Sequence, residues 1–212
     1  MSLSLTARDI DILLCLTLQV RLMTVKQIAD VWWPDRRNLK PVQRRLQRLC
    51  WSGHLQMAVI NAHPLLPLHQ PLAVWTPGEE APDSEVLAQL TKDRWKKPAV
   101  PTTVCFAMAS SGNLSGARPG QIPPSDEIDR DLHLASVFCH WRAHRTEMAT
   151  RWACRRALIP MVSKVYSPEA FLLSPNMGSP VGVMDSAGRS TAPQIQRIHD
   201  YCSNANLPYE LW

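Results

Sequence analysis

The spacing of apolar residues changes at Gly53, and that change limits what the first quarter of the chain can become. Before Gly53, apolar positions recur every three or four residues in three short segments, each with its own start signal. Thr6 can cap a helix through residues 7–22, with Ile10, Leu13, Leu14, Thr17 and Leu18 as a broad apolar stripe. Thr24 can cap a second helix over residues 25–33, stopped by Pro34. The third segment, PVQRRLQRLCWSG, places Val42, Leu46 and Leu49 on one face, with Pro41 in the first turn and Gly53 as the stop. Beyond Gly53 the pattern is extended. HLQMAVI (54–60) and PLAVW (71–75), separated by NAHPLLPLHQ (61–70), predict a β-hairpin with a long tip. Three helices followed by a hairpin are the order of a winged helix-turn-helix, whose third helix enters the major groove while the wing touches backbone.

Charge supports that expectation. Residues 1–60 hold nine basic and four acidic groups, whereas residues 61–212 hold 14 of each, so the net +5 belongs to the first quarter. Arg44, Arg45 and Arg48 follow one another within two turns with no acid between them, although like charges on neighbouring turns repel. Lys40, Arg44, Gln47, Arg48 and Trp51 face away from the apolar stripe. A basic face of this kind fits a polyanion, above all double-stranded DNA. The candidate DNA-binding residues are Arg36, Arg37, Lys40, Gln43, Arg44, Arg45, Gln47, Arg48 and His54. Arginine's planar fork can read guanine O6 and N7 or pair with phosphate. Trp32 and Trp33 are expected to pack the corner between the second and third helices.

The six cysteines are scattered without a Cys-x-x-Cys and read as reduced thiols of a cytoplasmic protein. The apolar run IDILLCLTLQV is too short to span a bilayer and follows charged residues, so neither membrane insertion nor export is expected. In the middle, SEVLAQLTKDRW predicts a helix, TTVCFAM a strand, and residues 110–124 a loop. SSGNLSG lacks the Gly-Lys-Ser/Thr ending of a phosphate loop. Residues 126–149 read as a helix with Leu132, Ala135, Val137, Phe138 and Trp141 inward. Extended runs ALIPMV, EAFLLS and VGVMD follow, then a helix over 191–206 capped by Thr191, then the strand PYELW. The resulting organisation is a winged helix over 1–78, a linker helix, strand and loop over 79–125, and an α-β-β-β-α-β domain over 126–212. That α-β-β-β-α-β order is shared by the PD-(D/E)XK nuclease superfamily.

A winged helix precedes DLHLASVF, SPEA, VMDSAGR and the closing QRIHDYCSNANLPYELW. Together these resemble the replication-relaxation type proteins of plasmids, phages and other mobile elements, from Thr6 to Trp212. The resemblance implies a DNA-binding protein tied to replication or transcription of a mobile element, carrying a nuclease-like domain. It also implies the catalytic candidates: Glu169 as first acid, Asp185 as second and Asp131 as a third. Such acids would hold Mg²⁺ against a scissile phosphate, with a lysine beside them. The lysine position is Ala187, and Arg189 and Lys164 are the nearest substitutes, so the reading leans away from catalysis and requires no cofactor. His140 and His144, one turn apart, show no third ligand and read as an ordinary pair. A Mg²⁺-dependent endonuclease is the alternative, and an adaptor in a larger DNA-processing complex a third. A homodimer is compatible with each.

Overall fold

The computed structural model describes residues 3–35, 38–108, 111, 122–155, 157–158, 168–176, 178–188 and 190–212. These form a mixed α+β fold around two sheets. Helix α1 (Ala7–Leu14) starts in a capping box: the Thr6 hydroxyl accepts from the Asp9 amide, and the Asp9 carboxylate takes the Thr6 amide at 2.7 Å. One π-helical turn, Cys15–Gln19, continues it. Its buried face is Ile12, Leu13 and Leu16, whereas Ile10, expected inward, is 38% exposed. The cause is Asp9, which is buried in an ion pair with Arg45 and turns its own side of the helix inward. A two-residue strand β1 (Met23–Thr24) leads into α2 (Val25–Trp32), which opens with a Thr24–Gln27 capping box. Helix α3 (Lys40–Trp51) buries Val42, Leu46 and Leu49 and stops at Gly53, whose φ of +76° an L side chain disfavours.

The hairpin expected between residues 54–60 and 71–75 does not form. Strand β2 (Leu55–Ala62) pairs along its whole length with β4 (Val100–Ala107), from Leu55↔Ala107 to Ala62↔Val100. The first sheet has the order β1-β4-β2. Strand β3 (Ala73–Trp75) instead pairs with β8 (Tyr209–Leu211) in the second sheet, where the Trp75 ring stacks on Tyr209 at 5.5 Å. The longer partner wins: β4 gives β2 eight paired residues with apolar side chains on both faces, whereas β3 offers three. Residues 63–99 therefore interrupt the β2–β4 hairpin and carry β3 and α4 (Ser84–Arg94).

The second sheet runs β3-β8-β7-β6-β5. Strands β5 (Trp152–Cys154), β6 (Ala170–Leu173) and β7 (Pro180–Asp185) form an antiparallel meander. Helix α7 (Ala192–Asn204) then carries the chain to β8, parallel to β7. The first meander strand is thus Trp152–Cys154, ahead of ALIPMV, because all three of its residues are buried. Ala157 and Leu158 lie in a 3₁₀ turn, and residues 159–162 fall outside the described residues. The single helix expected over 126–149 breaks at Arg145, giving α5 (Ser125–His144) and α6 (Thr146–Thr150).

Helix α5 is buried on several sides because it serves both sheets. Ile128 and Leu132 pack under Val104 and Phe106 of β4, while Leu134, Phe138 and Trp141 join Trp152, Ala170 and Met184 of the second sheet. The opposite face of that sheet is covered by α7 and α4 through Ile195, Ile198 and Leu87. Helix α2 is tied to α5 by Gln27, whose Nε2 donates to the Leu132 carbonyl (2.9 Å) and the Ser136 hydroxyl (2.8 Å). Cys15, Cys50, Cys105, Cys139 and Cys202 are free thiols. Among the described residues, no helix is long and apolar enough to cross a membrane.

Candidate nucleic-acid face and acidic cluster

On α3, the buried stripe forces the opposite side outward. Lys40, Gln43, Arg44, Gln47 and Arg48 are all exposed, and Trp51 at the helix end is 82% exposed. Among the described residues, no carboxylate forms an ion pair with Lys40, Arg44 or Arg48. Arg45 is separated from this face: its guanidinium pairs with the buried Asp9 carboxylate and donates to the Ser4 carbonyl at 3.1 Å. His54 is half-buried in the turn from α3 to β2. Arg36 and Arg37 lie outside the described residues. Trp32 is buried, donates its Nε1–H to Asp11 at 2.7 Å and carries Arg142 over its ring at 4.8 Å. Trp33 lies under Arg8 at 4.6 Å. Both are held by side chains of this chain.

Glu169, just before β6, and Asp185, the last residue of β7, meet because these antiparallel strands pair Ala170 with Met184. Asp185 is fully buried, and the Glu169 side chain is 13% exposed. Between them lies a cation from α5: Arg130 Nε is 2.6 Å from Glu169 Oε1, and one terminal nitrogen is 3.8 Å from Asp185 Oδ1. The other Glu169 oxygen accepts the Ser186 amide at 2.9 Å, and Asp185 Oδ1 accepts the Ala187 amide at 3.0 Å. Asp131, next along α5, points to Arg21, with an Nε–Oδ2 distance of 2.7 Å. Burial pushes its carboxyl up to about 7 against the pull of Arg21, and Glu169 and Glu127 add to the rise. The three acids therefore share one region but two guanidinium groups.

The turn after β7 makes room for Arg130. Ala187 and Gly188 both have positive φ, 53° and 46°. A Cβ on Gly188 would stand 2.5 Å from Arg130 Cγ, so only glycine fits there. Trp95 donates its Nε1–H to the Gly188 carbonyl at 3.0 Å and stands edge-on to His133, 5.9 Å away. Burial, then Arg94, pushes His133 down to about 4, so its ring is neutral near pH 7. Ala187, at the expected lysine position, is buried in the core that α7 covers. A lysine there would enter apolar surroundings.

Sequence reasoning missed Arg130, Arg21 and Gly188. The usable signal for Arg130 was a single arginine among the four acids of DEIDRD, directly before the apolar helix face. Arg189 and Lys164 lie outside the described residues, as does most of the 110–124 loop. The His140 and His144 rings stand 4.6 Å apart, and the Trp212 ring is 5.8 Å from His140. Among the described residues, no group of three or more His, Cys, Asp or Glu is placed to hold a metal ion. The Glu169–Asp185 pair as it stands does not fit Mg²⁺, which demands an octahedral oxygen shell, because a guanidinium occupies the approach to both carboxylates. Compared with known proteins, the chain matches no family model, no curated protein and no solved structure.

Proposed function

We propose that the chain is a DNA-binding protein whose α1–α2–α3 unit and β2–β4 hairpin act as a winged helix-turn-helix. The observation that carries this reading is the exposed face of Lys40, Gln43, Arg44, Gln47 and Arg48 on α3, opposite a fully buried stripe. A helix in the third position, with its apolar side on the core and its basic side free, suits the major groove. The α5–β5–β6–β7–α7–β8 order and the parallel β7–β8 pair support a nuclease-like second unit. The replication-relaxation resemblance then makes the bound site one that governs replication or transcription of a mobile element. Arg45 has a structural part, holding α3 to α1.

The test is affinity for labelled duplex DNA. Replacing Arg44 and Arg48 with Ala should weaken binding and flatten the salt slope by about one to two units, since each lost phosphate contact releases fewer counterions. Thermal stability should stay within about 0.5 kcal/mol, because both side chains are exposed. Leu46→Ala, by contrast, should cost about 2–5 kcal/mol through a core cavity. Unchanged affinity in the double variant would overturn the assignment. The second reading, a Mg²⁺-dependent endonuclease, draws on the meeting of Glu169 and Asp185 at adjacent strand ends. Nicking of plasmid with Mg²⁺ or Mn²⁺, lost in Glu169→Gln, would replace the first reading with it.

A further inference from the structure

We propose that Arg130 is a resident counter-cation of the Glu169–Asp185 pair, seated where a divalent metal would otherwise be needed, and that its removal turns the pair into a metal-dependent site. The inference stands on geometry and does not rest on the DNA-binding role of α3.

Two carboxylates brought together at neighbouring strand ends, one fully buried, repel unless a cation lies between them. Backbone amides of Ser186 and Ala187 take one oxygen of each acid but carry no net charge. Among the described residues, Arg130 brings a positive charge to both, 2.6 Å from Glu169 and 3.8 Å from Asp185. Its place is built into the backbone. The positive φ of Gly188 and the missing Cβ admit the Arg130 stem at a distance no side chain would allow, and Trp95 holds the Gly188 carbonyl. Arg130 also belongs to the helix that packs on both sheets, so the cation is delivered by the core itself. A guanidinium fixed in this way neutralises the acids as a metal would, yet provides no Lewis acid and no activated water. Loss of the guanidinium leaves buried carboxylate oxygens with the charge and hardness that Mn²⁺ and Mg²⁺ favour.

The experiment follows the melting temperature of the full chain with and without Mn²⁺, against NaCl of matched ionic strength. Wild type should show no metal-specific shift. Arg130→Gln should melt lower without metal and gain about 5–10 °C at a metal concentration roughly a hundred times its Kd. The double variant Arg130→Gln/Glu169→Gln should recover stability without metal and lose the metal response. If Arg130→Gln is unfolded alone, either Mn²⁺ or the added Glu169→Gln should restore its cooperative transition. Two results overturn the proposal: a metal shift in wild type equal to that of Arg130→Gln, or an Arg130→Gln chain indifferent to both metal and Glu169→Gln.

Discussion

Two largely buried carboxylates of this protein end with pKa values shifted in opposite directions. Burial alone would raise the Asp9 pKa, but hydrogen bonds from Arg45 and from the hydroxyl and amide of Thr6 outweigh it, so the carboxyl is held below its usual value of 3.8. A lowered acid contributes stability that is present above the unfolded value and is lost as pH falls through the folded one. Asp131 is the reverse. With its folded value near 7 against 3.8 unfolded, its contribution is complete below about 4 and declines as pH rises towards 7. His133 opposes it over the same window, because burial holds its ring at about 4 against 6.5 unfolded and stability is lost as pH falls between them. The Asp131 contribution is therefore read as the difference in urea midpoint between wild type and Asp131→Asn. That difference should shift in favour of wild type as pH falls from 7 to 4. A difference that stays constant between pH 7 and 4 would show that Arg21 keeps this acid ionised. Asp9→Asn should cost about 3 kcal/mol at neutral pH, the low end for breaking a buried pair because Arg45 keeps partial contact with water, and that cost should shrink as pH falls below 4.

At the scale of elements, caps made by the same chemistry differ in what they hold. Thr24 and Gln27 form a capping box at the start of α2, which satisfies two amides that the helix leaves over. Gln27 does more, since its amide nitrogen reaches two groups of α5. Thr24→Ala should thus cost about 1 kcal/mol, the ordinary value of a cap. Gln27→Ala should cost more, about 2–3 kcal/mol, because the buried Ser136 hydroxyl and Leu132 carbonyl lose a donor. Chemical denaturation of both variants checks the order. Equal costs would mean that the contact between α2 and α5 contributes little. This contact matters for function as proposed, since α5 carries Arg130 and α2 packs beside α3.

For the whole molecule, strand pairing joins what the sequence divides. β2 finds its partner 38 residues further on from its last residue, Ala62, at Val100, and β3 finds its own in the C-terminal β8. Helix α5 then contributes to the cores beneath both sheets. A fragment ending at residue 78 would lack β4 and expose the whole edge of β2, an arrangement prone to misassembly. Expressed alone, residues 1–78 should show no cooperative unfolding, whereas the full chain should unfold in one transition seen alike by far-ultraviolet dichroism and tryptophan fluorescence. A cooperative transition in the fragment would establish residue 78 as a true boundary.

Local information settled several features. Thr6, Thr24 and Thr191 announce their helices, and Gly53 ends α3, because caps and stops depend on residues only a few positions away. The α3 stripe and its basic opposite face were also legible, since one helical period places them. The meander, helix and closing strand of the second sheet were legible in order, although the first strand sits before ALIPMV. Long-range choices were not readable. Which strand joins β2 depends on competition between partners of unequal length, and the inward face of α1 depends on Arg45, 36 residues away. The acidic pair followed from strand order, but its cation did not, because Arg130 arrives from another layer through a gap that only the Gly188 turn opens. Period and capping act within a few residues and can be read from a single chain, whereas partner choice and charge compensation are decided by which surfaces tertiary packing brings together.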